Sequence, residues 1–248
     1  MGLPHDDGWA IPFDSPYYPP LPAHYRGVWF QFVFFEADPD AVSRFLPDPL
    51  QASPDGLCGA VGIKVPFSSA YGAFNEAGLM LRCSFRGQAG WYWSHVWHDG
   101  PAGIAAGREI YGTPKIFTSL DIRKSERTMF TQGVMGEVPV VTISSTIEDL
   151  VAEDVLPSMS PAWRLKIIPR ADGPGPAIKQ LIDGTAASLD LKMGPVYRGR
   201  GTVAFEPSPL CDVTALRPRS FGDAYYFEAD YSEGYATIAH DYLADTSP

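Results

Sequence analysis

Proline and glycine interrupt this chain so often, 24 of each in 248 residues, that long helices are excluded over most of its length. Proline removes a backbone donor from a helix and glycine costs conformational entropy there. Between the interruptions lie short runs rich in β-branched and aromatic residues, the composition of strands. The fold class is therefore read as mainly β (α+β), an antiparallel closed or cone-shaped β-barrel with a few short helices, since closure removes exposed strand edges. No linker, internal repeat, low-complexity stretch or charge block divides the sequence. A single domain over residues 1–248 is expected, opening with an extended arm over 1–25 that is rich in proline and aromatic residues.

Local signals place the elements. Arg26 to Phe35 (RGVWFQFVFF) is a strand by its aromatic and β-branched content. Asp38 is a helix N-cap with Pro39 at the first helical position, and Pro47 stops that helix. Leu57–Pro66, Gly78–Phe85 and Trp91–Trp97 read as strands. Ala102–Ile110 reads as a short helix whose small residues allow close packing on a sheet. Residues 117–123 and 128–149 carry further strand patterns. Arg164–Ile168 is a strand ended by Pro169, Gly184–Val203 and Tyr225–Tyr231 are strands, and Ala236–Leu243 is a short strand or helix.

A net charge of −10 argues against a nucleic-acid-binding face, which needs clustered Lys and Arg, and against general attraction to acidic membranes. No apolar run reaches membrane-spanning length. The first residues show no basic stretch followed by an apolar one, so no signal peptide is expected. Cys58, Cys83 and Cys211 are too widely spaced for a CxxC pair and odd in number, so they form no disulfide framework. A cytoplasmic location is the default expectation.

Phosphate-binding, dinucleotide-binding and metalloprotease motifs are absent, as is the serine nucleophile elbow. His95 and His98 lie on opposite faces of a strand at their spacing, and no Cys or carboxylate completes a ligand set, so no metal site is expected. Simple alternation along WYWSHVW puts Trp91, Trp93 and Trp97 on one face and Tyr92 on the other. Such a stripe is core or pocket wall with about equal weight. The next segment, Gly107-Arg108-Glu109-Ile110-Tyr111-Gly112-Thr113-Pro114-Lys115, holds a charged pair, an apolar turn and a lysine behind proline. Read from composition alone, a lysine in such a turn is more often solvated than reactive.

That segment resembles the signature of the acetoacetate decarboxylase family, in which the lysine after proline forms a Schiff base. Further blocks agree in order: the Leu-Pro-Asp-Pro-Leu ending of Ala37–Leu50, then Leu165-Lys166-Ile167-Ile168-Pro169, Asp172-Gly173, a helix-like segment over Gln180–Asp183, and Gly194-Pro195. The resemblance spans roughly residues 20–243 and implies the family's β fold, self-association into a homo-oligomer, a small keto acid as substrate and no cofactor. It implies Lys115 as nucleophile and Glu76 as the carboxylate that orients substrate and handles protons; read alone, Glu76 is a turn carboxylate beside Gly78. Arg26 is the candidate carboxylate binder, with Val28 at that position if no gap is allowed. Trp93, Trp97 and Tyr111 are candidate pocket residues. Arg108 and Glu109 are expected as a buried pair that shapes the loop, since such pairs more often shape a site than react in it.

The chemistry needs a neutral amine, whereas a free lysine titrates near ~10.4. Burial in an apolar site favours the neutral form, and acetoacetate decarboxylase is itself the standard example of a lysine activated for imine formation. Two departures from the family pattern make the site more apolar: Ile116 replaces the lysine after the nucleophile, and Val61 replaces a second glutamate. Tyr111 stands in place of a small side chain and is either a proton donor or a packed aromatic. Three readings follow, in order: decarboxylation of a β-keto acid as large as acetoacetate or larger, a pyruvate-dependent aldolase-dehydratase or hydratase on the same lysine, and a non-catalytic small-molecule binder.

Overall fold

The structure is a computed structural model that describes residues 8–244; expectations for residues 1–7 and 245–248 lie outside it. Residues 8–22 form turns and bends, and the first strand already begins at Ala23. The predicted helix after Asp38 spans Pro39–Arg44, with the Asp38 carboxylate accepting from the Asp40 amide. It ends at Phe45, two residues before Pro47.

The strand pairings form one continuous series. Hairpins join Ser119–Lys124, Thr128–Met135 and Val138–Thr146, and the last of these pairs with Val196–Ala204. The ladder continues antiparallel through Ser220–Glu233, Ala23–Glu36, Leu57–Val65, Phe74–Phe85 and Gln88–His98. The far edge of Gln88–His98 is then shared by two parallel partners, Ala162–Pro169 and Lys115–Phe117. Ala162–Pro169 leads on through Pro176–Asp183 to Thr237–Asp241. Among the described residues the two ends of the series are not hydrogen-bonded to each other, so of the expected closed or cone-shaped barrel the structure shows the mainly antiparallel sheet and not its closure. Neither strand that shares the edge of Gln88–His98 continues to Ser119–Lys124, which leaves the circuit unfinished.

The central strands are buried on both faces, and this explains why RGVWFQFVFF is apolar without alternation. Val33 and Phe35 face one core with Leu79, Leu81, Trp97, Val140 and Ile143. Phe32 and Phe34 face a second core with Val61, Ile63, Met80 and Phe227. Gln31, on the first face, is fully buried but satisfied: its amide donates to Met129 O (3.0 Å) and Ser145 Oγ (2.8 Å), and it accepts from Thr131 Oγ1 (2.7 Å). Paired polar groups of this kind are tolerated inside a core.

Three other segments differ from expectation. Residues 128–149 divide at a turn through Gly136 into Thr128–Met135 and Val138–Thr146. Gly184–Val203 divides into a short helical turn, Thr185–Ala187, and two strands. Gln180–Asp183, helix-like by composition, belongs to the strand Pro176–Asp183, because pairing on both edges outweighs local preference. Thr237–Asp241 resolves the strand-or-helix choice near the C-terminus in favour of a strand. Among the described residues no helix is long and apolar enough to cross a membrane.

Candidate active site

The helix Pro101–Ala106 runs directly into a single wide π-helical turn, Gly107–Tyr111. Gly112 ends that turn in the left-handed region (φ 68°), a conformation glycine adopts without steric cost. The chain then reverses through Thr113, whose amide donates to Gly107 O (2.9 Å), and enters the edge pairing of Lys115 with Val96. The Lys115 stem packs over Gly107 so closely that a methyl group there would sit 2.8 Å from Cδ and Cε. These contacts direct the amine inward.

Lys115 Nζ lies 3.0 Å from Glu76 Oε2, with both side chains almost entirely enclosed, and 5.6 Å from the centre of the Phe74 ring. Glu76 comes from Phe74–Phe85 and stands opposite His98 of the neighbouring strand. His98 Nε2 is 3.7 Å from the same carboxylate oxygen. The Gly100 amide donates to His98 Nδ1 (2.8 Å), which assigns the ring proton to Nε2, facing Glu76. Burial, with a smaller effect of the Lys115 charge, holds His98 down at about 2, so the ring is neutral and its contact with Glu76 is not an ion pair.

These groups open onto a cavity of ≈ 270 Å³, at the small end of small-molecule sites. Its walls are mostly apolar, with Phe30, Phe32, Phe74, Met80 and Phe227 prominent. Four charged side chains line it: Lys115, Glu76, Arg164 and Glu233. Tyr25 donates to Glu233 Oε2 (2.9 Å) and stacks on Tyr231 at 4.7 Å.

Of the residues expected to meet here, Lys115, Glu76 and Trp93 line the cavity. Five others need correction. Arg26 is half-exposed; its guanidinium donates to the carbonyls of Tyr25 (2.7 Å) and Tyr231 (3.2 Å) and approaches Asp230. A bulge between Tyr25 and Val28, with Gly27 at φ 62°, turns it outward. Trp97 packs in the opposite core, because Ser94 is an extra residue between the pairs Leu79–His95 and Met80–Trp93 and inverts the alternation. Tyr111 is buried behind the wall with its hydroxyl donating to Gly234 O (2.7 Å), so it is a packed aromatic. Arg108 and Glu109 are exposed and do not pair: Arg108 donates to Lys115 O (3.1 Å), and Glu109 accepts from Tyr18 (2.6 Å). Each fastens the loop separately.

Ile116 points away from Lys115 into the opposite core, as alternation requires, while Val61 sits in the cavity-side core. Arg164 and Glu233 were not foreseen. Arg164 precedes the recognised Leu165–Pro169 block and Glu233 ends a strand, and only the tertiary fold brings them together. His95 and His98 lie on opposite faces as expected, and among the described residues no cluster of three or more potential ligands marks a metal site.

The two histidines lead to a prediction about stability. Burial holds His95 down at about 4 and His98 at about 2, against an ordinary 6.5. The unfolded chain therefore takes up protons below about pH 6.5 that the folded chain refuses, and stability falls as pH falls toward the folded values. Each contributes roughly 1 kcal/mol per pH unit in that window. Urea unfolding free energy should drop by about 3 kcal/mol between pH 7 and pH 5. His98→Gln, which keeps an acceptor for Gly100, should remove about half of that slope; an unaltered slope would count against neutral burial.

Fold and site together define a β protein with an enclosed lysine–carboxylate pair facing a small apolar cavity. The family model for acetoacetate decarboxylase matches residues 8–243, and the chain belongs to that family. A curated relative, acetoacetate decarboxylase 1 of Bradyrhizobium diazoefficiens, is 30% identical over 95% of this chain and 94% of its own. The crystal structure of acetoacetate decarboxylase from Legionella pneumophila is 24% identical, with a TM-score of 0.85 over 98% of this chain and all of that one. The enduracididine biosynthesis enzyme MppR, solved with the condensation product of pyruvate and imidazole 4-carboxaldehyde, is 20% identical with a TM-score of 0.82, covering 98% of this chain and 100% of its own. The last two likenesses speak for the fold.

Proposed function

We propose that this protein is a Schiff-base lyase that decarboxylates a β-keto acid through Lys115. The observation that carries the reading is the enclosed contact between Lys115 Nζ and Glu76 at 3.0 Å, at the wall of a mostly apolar cavity. The family membership supports it.

In this reading the neutral amine attacks the ketone carbon, and the carbinolamine loses water to give an iminium. The C–C bond to the carboxylate breaks, carbon dioxide leaves, and the bonding electrons move into the iminium to form an enamine. A proton adds to carbon, water hydrolyses the imine, and ketone and lysine are released. Glu76 is placed to take the proton that the ammonium loses and to return protons later, within hydrogen-bond reach as general acid–base catalysis requires. The electron sink is the iminium on the protein's own lysine. The apolar walls favour loss of charge as carboxylate becomes carbon dioxide.

Borohydride trapping tests this. Incubation with a β-keto acid followed by reduction should add the mass of the ketone product less one oxygen atom to the peptide containing Lys115 and to no other lysine. Pyruvate, run in parallel, addresses the aldolase-dehydratase alternative. Labelling by pyruvate with no carbon dioxide from any β-keto acid would transfer the assignment to that chemistry, and an adduct elsewhere would remove Lys115 from it.

A further inference from the structure

Arg164 is the cation in this cavity that the imine mechanism leaves unused. Its Nε and Nη1 are buried without a hydrogen-bond partner, and no carboxylate among the described residues lies within ion-pair distance of it. A buried guanidinium ordinarily has its donors satisfied, because leaving them unmet costs free energy. The chain nevertheless makes room for it. Gly184 faces the guanidinium so closely that a methyl group there would stand 1.8 Å from Nη1, and the planar group lies 5.9 Å from the rings of both Trp93 and Tyr111. Glu233, the other charge at this end, accepts the Tyr25 hydroxyl. Arg164 is thus positioned, braced and unpartnered, which suits it to a bidentate anion from outside.

Register separates this cation from the reacting amine. Ala162 and Trp163 pair with Trp91 and Tyr92, which carries Arg164 to the level of Trp93. Lys115 pairs with Val96, two ladder steps further along the same strand once the extra residue Ser94 is discounted, so the two Cα atoms are about 7 Å apart. The leaving carboxylate is a poor candidate for Arg164 on energetic grounds. A guanidinium stabilises that carboxylate in the ground state and loses the interaction as neutral carbon dioxide forms, which raises the barrier. A carboxylate that survives the reaction gains binding without that loss.

Resting on the imine reading, we propose that Arg164 holds a second carboxylate that the substrate keeps, and that the substrate class is 3-oxo dicarboxylic acids. Loss of the carboxylate β to the ketone would release carbon dioxide and leave the shortened oxo monocarboxylic acid on Arg164, 4-oxopentanoate in the case of 3-oxoadipate.

The test compares acids of equal length. Wild-type kcat/KM for 3-oxoadipate should exceed that for 3-oxohexanoate by on the order of 100-fold, the scale of a charge-assisted pair. Arg164→Met should reduce that ratio to within about threefold of one, and Arg164→Lys should keep part of it. Equilibrium binding of adipate, which cannot form an imine, tests Arg164 without turnover: Arg164→Met should weaken it at least about tenfold. Without ligand, Arg164→Met should raise Tm by about 2–5 °C by removing two unmatched buried donors, whereas a purely structural arginine predicts a fall. Adipate binding that Arg164→Met leaves unchanged, or a preference for 3-oxoadipate over 3-oxohexanoate that persists in Arg164→Met, overturns the proposal whatever the trapping experiment shows. Failure to trap any ketone on Lys115 overturns the imine reading and leaves the binding comparison to decide the role of Arg164.

Discussion

Lys115→Met is expected to lower keto acid turnover by on the order of 10⁵-fold, the scale seen when a covalent nucleophile is removed. Methionine fills much of the same volume against Gly107 and Phe74, so the cavity keeps its shape while the attacking amine is gone. The loss should fall on kcat, with binding of non-reacting acids largely retained, because the apolar walls are untouched. The substitution also strands Glu76, which keeps a neutral His98 at 3.7 Å as its nearby partner. Removing one member of a buried pair costs about 3–5 kcal/mol. The double variant Lys115→Met with Glu76→Gln should recover most of that stability and none of the activity. Carbon dioxide release and urea unfolding on the same preparations separate the two effects, and residual turnover within tenfold of wild type would exclude Lys115 as the nucleophile.

The sequence carried Lys115 and Glu76 but not the cavity that they face. Composition and periodicity alone made Lys115 a turn lysine and Glu76 a turn carboxylate; the ordered family blocks made them candidates. Whatever depended on strict alternation failed wherever a bulge intervened. One extra residue at Ser94 sent Trp97 to the wrong core, and the irregularity at Gly27 turned Arg26 to solvent. A bulge leaves little mark on composition, and it re-aims every side chain beyond it. Arg164 and Glu233 were hidden for a different reason. They reach the cavity from strands more than sixty positions apart in the chain, and only the register of Ala162–Pro169 against Gln88–His98 puts Arg164 beside Trp93. Barrel closure was also unreadable, since it depends on whether the last edge finds a partner, a property of the whole sheet.

Gly112→Ala is expected to be the most damaging single-methyl change near the site, lowering unfolding free energy by about 3–5 kcal/mol. Two costs combine. Gly112 has φ 68° and ψ 20°, where an L side chain costs about 1–2 kcal/mol. The added carbon would also lie 2.4 Å from Lys166 Cα and 2.5 Å from its amide nitrogen. Those are backbone atoms of a strand paired along Pro176–Asp183, so relief requires moving the strand or the turn. Either movement disturbs function, because the strand carries Arg164 and the turn leads three residues later to Lys115. A displacement of about 1 Å costs roughly 100-fold in a positioned reaction, so kcat/KM should fall at least that far even at temperatures where the variant is folded. Gly136→Ala supplies the control: it shares the left-handed backbone (φ 63°) but has nothing within 4 Å of the added carbon. It should cost only about 1–2 kcal/mol and leave turnover intact. Equal destabilisation of the two variants would mean that the backbone conformation, and not the close approach to Lys166, sets the requirement for glycine at 112.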